Sequence, residues 1–143
     1  MTADPYYCTL YVDTDEPIDD LQAALDEACD RIFKGIGVEA PAYRNDGFDA
    51  DARSRVPYQF IQCSRYFVEL GTLEEVPEQL ADFQSGVAEV VRSLREEGRF
   101  VTAACCFEDL IADNTGWNWT GDTPEPPGRT VRGWRRWVRF LAG

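Results

Sequence analysis

Carboxylates are the side chains with the most obvious chemistry in this sequence, and they cluster at two points of the chain. Two carboxylates can act as general acid and general base when their surroundings separate their pKa values. The candidates are Asp13, Asp15, Glu16, Asp19, Asp20, Glu108 and Asp109. Their abundance singles out no pair, because most surface acids are solvated or lie at helix N-termini. Carboxylate-dependent catalysis is therefore an alternative hypothesis and not the leading one.

Other catalytic and metal-binding patterns fail at specific positions. The sequence contains no histidine, which excludes Ser-His-Asp and Cys-His catalysis and the commonest transition-metal ligand. The run from Asp13 to Asp15 resembles the start of a calcium loop, but Ile18 and Ala24 replace the required glycine and glutamate. The GxGxxA string at residues 35–40 follows a predicted helix and leads to a predicted strand. In a dinucleotide-binding site the string follows a strand and leads to a helix, so this match is rejected. We expect no catalytic residue, no metal and no cofactor.

The cysteine pattern favours reduced, buried thiols. There are five cysteines, Cys8, Cys29, Cys63, Cys105 and Cys106. An odd number without CxxC spacing fits neither a disulfide framework nor a zinc ribbon. Cys105 and Cys106 are neighbours on a predicted strand, so their side chains point to opposite faces and one of them is expected in the core.

Hydrophobic periodicity predicts four strands and two helices. Alternating patterns predict strands at residues 6–12, 37–43, 58–70 and 100–107, and helical spacing predicts helices at 18–32 and 76–94. Asp15 is expected to cap the first helix, and residues 44–55 are expected to form a polar loop. The order β-α-β-β-α-β predicts an α+β, ferredoxin-like sandwich, an antiparallel sheet of order 4-1-3-2 with two helices on one face.

A Trp- and Arg-rich extension follows the predicted core. We assign residues 1–112 to the core and residues 113–143 to the extension, with a Pro/Gly-rich connector at 123–128. The extension holds all four tryptophans, and its last fifteen residues hold five arginines and no acid. We expect it to pack on its own acidic core, although membrane-surface and calmodulin-target segments have a similar pattern.

The net charge limits the kinds of partner that the chain can bind. At −12 the chain repels nucleic acid and favours a basic protein partner. No window reaches the roughly 18 to 20 apolar residues of a membrane span, and residues 1–5 lack the features of a signal peptide. We therefore expect a cytoplasmic protein that binds neither nucleic acid nor membrane.

Two surfaces are candidates for partner binding. The predicted topology brings the turn after the first strand near the loop before the third. This acidic end comprises Asp13, Asp15, Glu16, Asp19, Asp20, Asp46, Asp49 and Asp51. Helix N-terminal stabilisation and solubility are the alternative explanation for these acids. The second surface is the sheet face away from the helices, with Tyr7, Thr9, Tyr11, Arg65, Phe67, Phe100 and Thr102, to which the extension adds Trp134 and Trp137. A partner, a second copy in a homodimer, or the extension must cover this face.

The segments Arg65–Leu70 and Ala103–Asp109, with the size and acidity of the chain, resemble the small acidic immunity proteins that bacteria encode beside polymorphic toxins. The resemblance covers residues 60–110. It implies a cytoplasmic protein that neutralises a cognate toxin by covering its active site, with Asp13 to Asp20 and Asp46 to Asp51 as mimics of an anionic substrate. A non-catalytic, acidic protein-binding domain is thus the leading hypothesis. A small-molecule-binding regulator or carboxylate-dependent enzyme on the same fold would instead need a defined pocket.

Overall fold

The computed structural model describes residues 4–55, 58–124 and 126. Its strands are β1 (Tyr7–Asp13), β2 (Val38–Glu39), β3 (Ala42–Arg44), β4 (Tyr66–Thr72) and β5 (Phe100–Ala104), and its α-helices are α1 (Ile18–Ile32), α2 (Phe60–Cys63), α3 (Leu80–Glu96) and α4 (Glu108–Thr115). Two 3₁₀ turns, Ala50–Ser54 and Pro77–Gln79, precede α2 and α3. Within the described ranges, no helix has the length and apolar character required to cross a membrane.

The five strands form one open antiparallel sheet. β4 and β1 are central, β5 pairs with the other side of β1, and both β2 and β3 pair with β4. Leu10 lies opposite Val68 on β4 and Ala103 on β5, which sets the register. The predicted mixed α+β class with an antiparallel sheet is confirmed.

The main core lies between the sheet and the two long helices. Alternate residues of β1 and β4 and the apolar stripes of α1 and α3 are excluded from solvent, among them Leu10, Val12, Leu21, Leu25, Val68, Leu70, Phe83, Val87 and Leu94. Each stripe repeats at helical spacing, so one helix face meets one sheet face. We call this side of the sheet the inner face and the other side the outer face.

The predicted edge strand at residues 37–43 is divided in two. β2 ends at Glu39 and β3 begins at Ala42, with Pro41 between them. Proline has no N–H group to donate to a ladder, and its carbonyl instead accepts from the Glu69 amide at 3.1 Å. Gln22 of α1 holds the divided edge, since its amide donates to Ala40 O at 3.0 Å and accepts from Ala42 N at 2.9 Å.

The prediction of one strand from Tyr58 to Leu70 was wrong in its first half. Residues 60–63 form the short helix α2, and β4 begins only at Tyr66. Tyr58 and Cys63 are buried against Phe100 of the outer face. This burial outweighs the local strand pattern, because it removes apolar surface of both segments from water.

The last strand is shorter than predicted, and a helix follows it. β5 ends at Ala104, and the Cys105 amide donates to the Glu108 carboxylate at 3.1 Å at the start of α4. α4 packs on α3 and continues past residue 112. The assignment of 1–112 and 113–143 as core and extension stays a prediction.

Candidate functional site

The first predicted acidic turn is organised by one arginine. Arg53, in the 3₁₀ turn, donates to Asp13 at 2.5 Å and to Asp15 at 3.0 Å. The Asp13 side chain is fully buried, whereas that of Asp15 is 63% exposed. Pro17 is the N-cap residue of α1, and no side-chain hydrogen bond caps this helix. The prediction that Asp15 caps α1 was therefore wrong. Asp13 serves the fold and is not accessible to a partner.

Two further acids of the predicted acidic end also have basic neighbours. Arg99 binds Glu16 through two contacts of 2.5 and 3.1 Å, and it binds Glu97 at 2.6 Å. These bonds to carboxylates raise the pKa of Arg99 against the opposing effect of burial. Asp49 caps the 3₁₀ turn by accepting from the Asp51 amide and pairs with Arg55 at 3.2 Å. This end is therefore partly neutralised from within.

Five acids of this end are exposed: Asp15, Asp19, Asp20, Asp46 and Asp51. The contacts of Arg53 with Asp13 and Asp15 bring the β1–α1 turn and the 3₁₀ turn together, as the topology predicted. Sequence reasoning missed the arginines, although Arg53 and Arg55 stood among the acids of the predicted loop. That the acidic end contacts a partner stays a prediction.

Part of the outer face is covered by the chain itself. Phe100 packs on Tyr58 at a ring-centroid distance of 5.1 Å and on Trp117 at 4.9 Å. The Trp119 indole N–H donates to Tyr58 O at 3.1 Å. Phe100 and Thr102, predicted on a bare face, are consequently buried. Residues 117–119 thus cover the β5 side of the outer face.

Arg95 fixes this cover to α3. Its guanidinium carbon lies 3.6 Å from the centroid of Trp117, and the group donates to Trp117 O at 3.0 Å and Val101 O at 2.7 Å. Burial lowers the pKa of Arg95 to about 9, so the group stays charged at neutral pH. Stacking and hydrogen bonding together compensate the lost hydration of the cation.

Asn118 completes the edge of the sheet. Its buried side chain accepts from Ala103 N at 2.8 Å and donates to Ala103 O at 2.9 Å. A side-chain amide thereby replaces the neighbouring strand that β5 lacks at this position. The edge is protected there from pairing with another chain.

The β4 side of the outer face presents a cross-strand aromatic row. Tyr11, Phe67 and Tyr43 lie opposite one another on β1, β4 and β3. The ring centroids of Tyr11 and Phe67 are 6.3 Å apart, and those of Phe67 and Tyr43 are 5.3 Å apart. Tyr43 is 43% exposed, and Phe67 and Tyr11 are half-buried. We call these three residues the aromatic row.

An acidic cleft of about 260 Å³ lies beside the aromatic row. Its lining includes three tyrosines and four carboxylates, namely Tyr6, Tyr7, Tyr43, Asp4, Glu39, Glu69 and Glu75. Tyr7 lies opposite Gly71, where a Cβ atom would stand 3.3 Å from the Tyr7 ring, so glycine makes room for that ring. Among the described residues, no basic side chain lines this cleft.

The pKa of Tyr7 reflects its burial and the negative charge of the cleft. Burial raises the pKa of Tyr7 and the Glu69 carboxylate adds to the rise, while the hydrogen bond from the Thr9 hydroxyl opposes it. A cation placed among these carboxylates would be stabilised by their charge and by the tyrosine faces. The cleft was not predicted, because it depends on the register that brings Glu39, Gly71 and Tyr7 side by side.

A larger, shallower groove of about 740 Å³ separates α1 from the divided edge strand. Its lining mixes apolar residues such as Phe33 and Leu73 with Asp26 and Asp30 of α1. Leu73 is 62% exposed. Trp134 and Trp137, predicted for the second surface, lie outside the described residues.

Comparison with protein-family models, with curated proteins and with solved structures finds no match to this chain.

Proposed function

We propose that this chain is a non-catalytic binding domain that holds a basic protein through the β4 side of its outer face. The observation that carries the proposal is the partly exposed aromatic row beside a cleft with four carboxylates and, among the described residues, no cation. Aromatic residues dominate the energetics of protein interfaces, and complementary charge speeds association and selects the partner. An arginine or lysine of the partner would enter the cleft while apolar groups cover the row.

The finer architecture is part of the proposal. If β2 and β3 are counted as one interrupted strand, the order β2/β3-β4-β1-β5 corresponds to the 4-1-3-2 order of a ferredoxin-like sheet. α1 and α3 pack on its inner face. The outer face is then the surface that this architecture leaves for a ligand or for added segments.

A basic partner is favoured over a second copy of the chain. A symmetric homodimer through this face would bring two sets of four carboxylates together, and the repulsion would oppose association. The resemblance to immunity-type proteins supplies the kind of partner, a toxin with a basic active site. The acidic end is the competing docking site, because five of its acids are exposed.

The proposal is tested by capture with the full-length protein and two matched variants. Immobilised protein is exposed at low salt to an extract of the producing cell. One variant carries Glu39→Gln, Glu69→Gln and Glu75→Gln in the cleft, and the other carries Asp19→Asn, Asp20→Asn and Asp46→Asn at the acidic end. Each variant loses three negative charges, so general electrostatics is matched.

We expect the unmodified protein and the acidic-end variant to retain the same basic protein, and the cleft variant to lose it. Retention should fall steeply as salt is raised, because exposed charges are screened. Loss of the partner from the acidic-end variant alone would transfer the site to that end. Failure of the unmodified protein to retain any partner at low salt would contradict the proposal.

A further inference from the structure

Two cysteines lie opposite each other at the end of the β1–β5 ladder. Thr9 and Ala104 are the last paired residues there, and Cys8 and Cys105 stand one position beyond them. Cys8 is fully buried, and Cys105 is partly exposed. The Cys8 thiol donates to Thr9 O at 3.7 Å, and the neighbouring Cys105 thiol adds to the rise that burial causes in the pKa of Cys8.

The hydrogen-bond pattern of β5 defines what kind of pair they are. Asn118 binds both the N–H and the C=O of Ala103, so these groups point away from β1. Leu10 and Ala103 are therefore a non-hydrogen-bonded pair of the β1–β5 ladder. Such pairs alternate with hydrogen-bonded ones, so Thr9–Ala104 is hydrogen-bonded and the next position, that of Cys8 and Cys105, is not.

This position suits a covalent bridge. Residues of a non-hydrogen-bonded antiparallel pair have Cα atoms about 4.5 Å apart, and disulfides span Cα separations of roughly 4.4 to 6.8 Å. Both side chains lie on the inner face, since Cys8 belongs to the buried core and Cys105 packs against that core. The register therefore brings the two cysteines to a position from which a bond between them can close.

We propose that Cys8 and Cys105 form a reversible cross-strand disulfide, with glutathione disulfide as the oxidant. The Cys105 thiolate attacks one sulfur of the oxidant, forming a Cys105–glutathione bond, and the other glutathione leaves and takes up a proton. Cys8 then loses its proton to water and attacks the Cys105 sulfur, which releases the second glutathione. Two protein thiols are oxidised and one glutathione disulfide is reduced to two thiols.

Exposure assigns the order of the two steps. Cys105 is reachable from solvent, whereas Cys8 is not, so the oxidant meets Cys105 first. Burial raises the pKa of Cys8 well above its ordinary value, so little thiolate is present for the second step. The mixed disulfide therefore accumulates before the bridge closes, and closure accelerates as the pH rises.

The test follows the thiols of the full-length protein in buffers of increasing ratio of oxidised to reduced glutathione at mildly alkaline pH. Free thiols are alkylated, and intact mass and peptide maps are recorded. We expect a product lacking two hydrogens, in which the peptide of Cys8 is linked to that of Cys105. Its thermal midpoint should exceed that of the reduced protein, because the bridge constrains the unfolded chain.

Cysteine variants identify the two residues that form the disulfide. Cys8→Ala should stop at a glutathione adduct on Cys105, whereas Cys29→Ala and Cys106→Ser should both form the bridge as the unmodified protein does. Adducts on Cys105 and Cys106 without any linked peptide would overturn the proposal, as would a linkage of Cys106 to Cys105 or to Cys8. The peptide map of the unmodified protein decides the matter even if Cys8→Ala does not fold.

Discussion

The replacement Asn118→Ala tests the account of the sheet edge. The substitution removes two hydrogen bonds of 2.8 and 2.9 Å and leaves the N–H and C=O groups of Ala103 without them. Ala103 is fully buried, and each buried polar group left unsatisfied costs roughly 1 to 3 kcal/mol. Water entering the space vacated by the side chain would offset part of this. We expect a loss of about 3 kcal/mol in the free energy of unfolding.

Urea unfolding followed by far-UV circular dichroism measures this loss, with Asn114→Ala as the matched control. Asn114 is exposed on α4, and its backbone carbonyl, which accepts from Arg92, survives the change. We expect a change within about 0.5 kcal/mol for the control. Amide hydrogen exchange gives a local measurement, since the Ala103 amide should exchange faster in Asn118→Ala. A stability within about 0.5 kcal/mol of the unmodified protein, or unchanged exchange at Ala103, would refute the reasoning.

Three further predictions concern the core, the buried ion pair and pH. Asp13→Asn should destabilise the fold by about 3 kcal/mol because it removes the buried anion that faces Arg53, whereas Asp15→Asn should cost under about 1 kcal/mol because Asp15 is exposed. Equal losses in urea unfolding would contradict this. Gly86→Ala should lower stability by about 1 to 3 kcal/mol, although alanine favours helices, because its methyl group would collide with the Phe33 ring; a raised melting temperature would contradict this. Burial raises the pKa of the Cys29 thiol from 9.0 to about 11, so between pH 9 and pH 11 this thiol ionises in the unfolded chain only. The free energy of unfolding should therefore fall by up to about 1.4 kcal/mol per pH unit in this range. Cys29→Ala should make the free energy of unfolding less dependent on pH there.

The regular part of the fold could be predicted because its signals are local. The stripe of α3 and the alternation of β1 each recur over many residues. β1 lies within one residue of its predicted bounds, and α3 was predicted correctly except for its first turn, since residues 77–79 form a 3₁₀ turn and the α-helix begins at Leu80. The interruption at Pro41 was readable in principle from its missing N–H group. The helical turn at residues 60–63 was not, because the contact of Tyr58 with Phe100 joins residues far apart in the chain.

The candidate site depends almost entirely on such distant contacts. Arg53 reaches Asp13 across 40 positions of sequence, so nothing local distinguished the buried acid from the exposed Asp19 and Asp20. The outer face was predicted with Tyr7, Tyr11 and Phe67, but its cover by Trp117 and its acidic cleft follow from register and packing. The acidic composition predicted a basic partner, and the three-dimensional arrangement decides which acids are exposed and could contact it.

The most direct test of the central claim is the affinity of the captured partner for the full-length protein and its two charge-matched variants as a function of salt. We expect the cleft variant Glu39→Gln, Glu69→Gln, Glu75→Gln to bind at least about tenfold more weakly at low salt and with a shallower salt dependence. The variant Asp19→Asn, Asp20→Asn, Asp46→Asn should bind as the unmodified protein does. Equal weakening of both variants would contradict a specific site on the outer face.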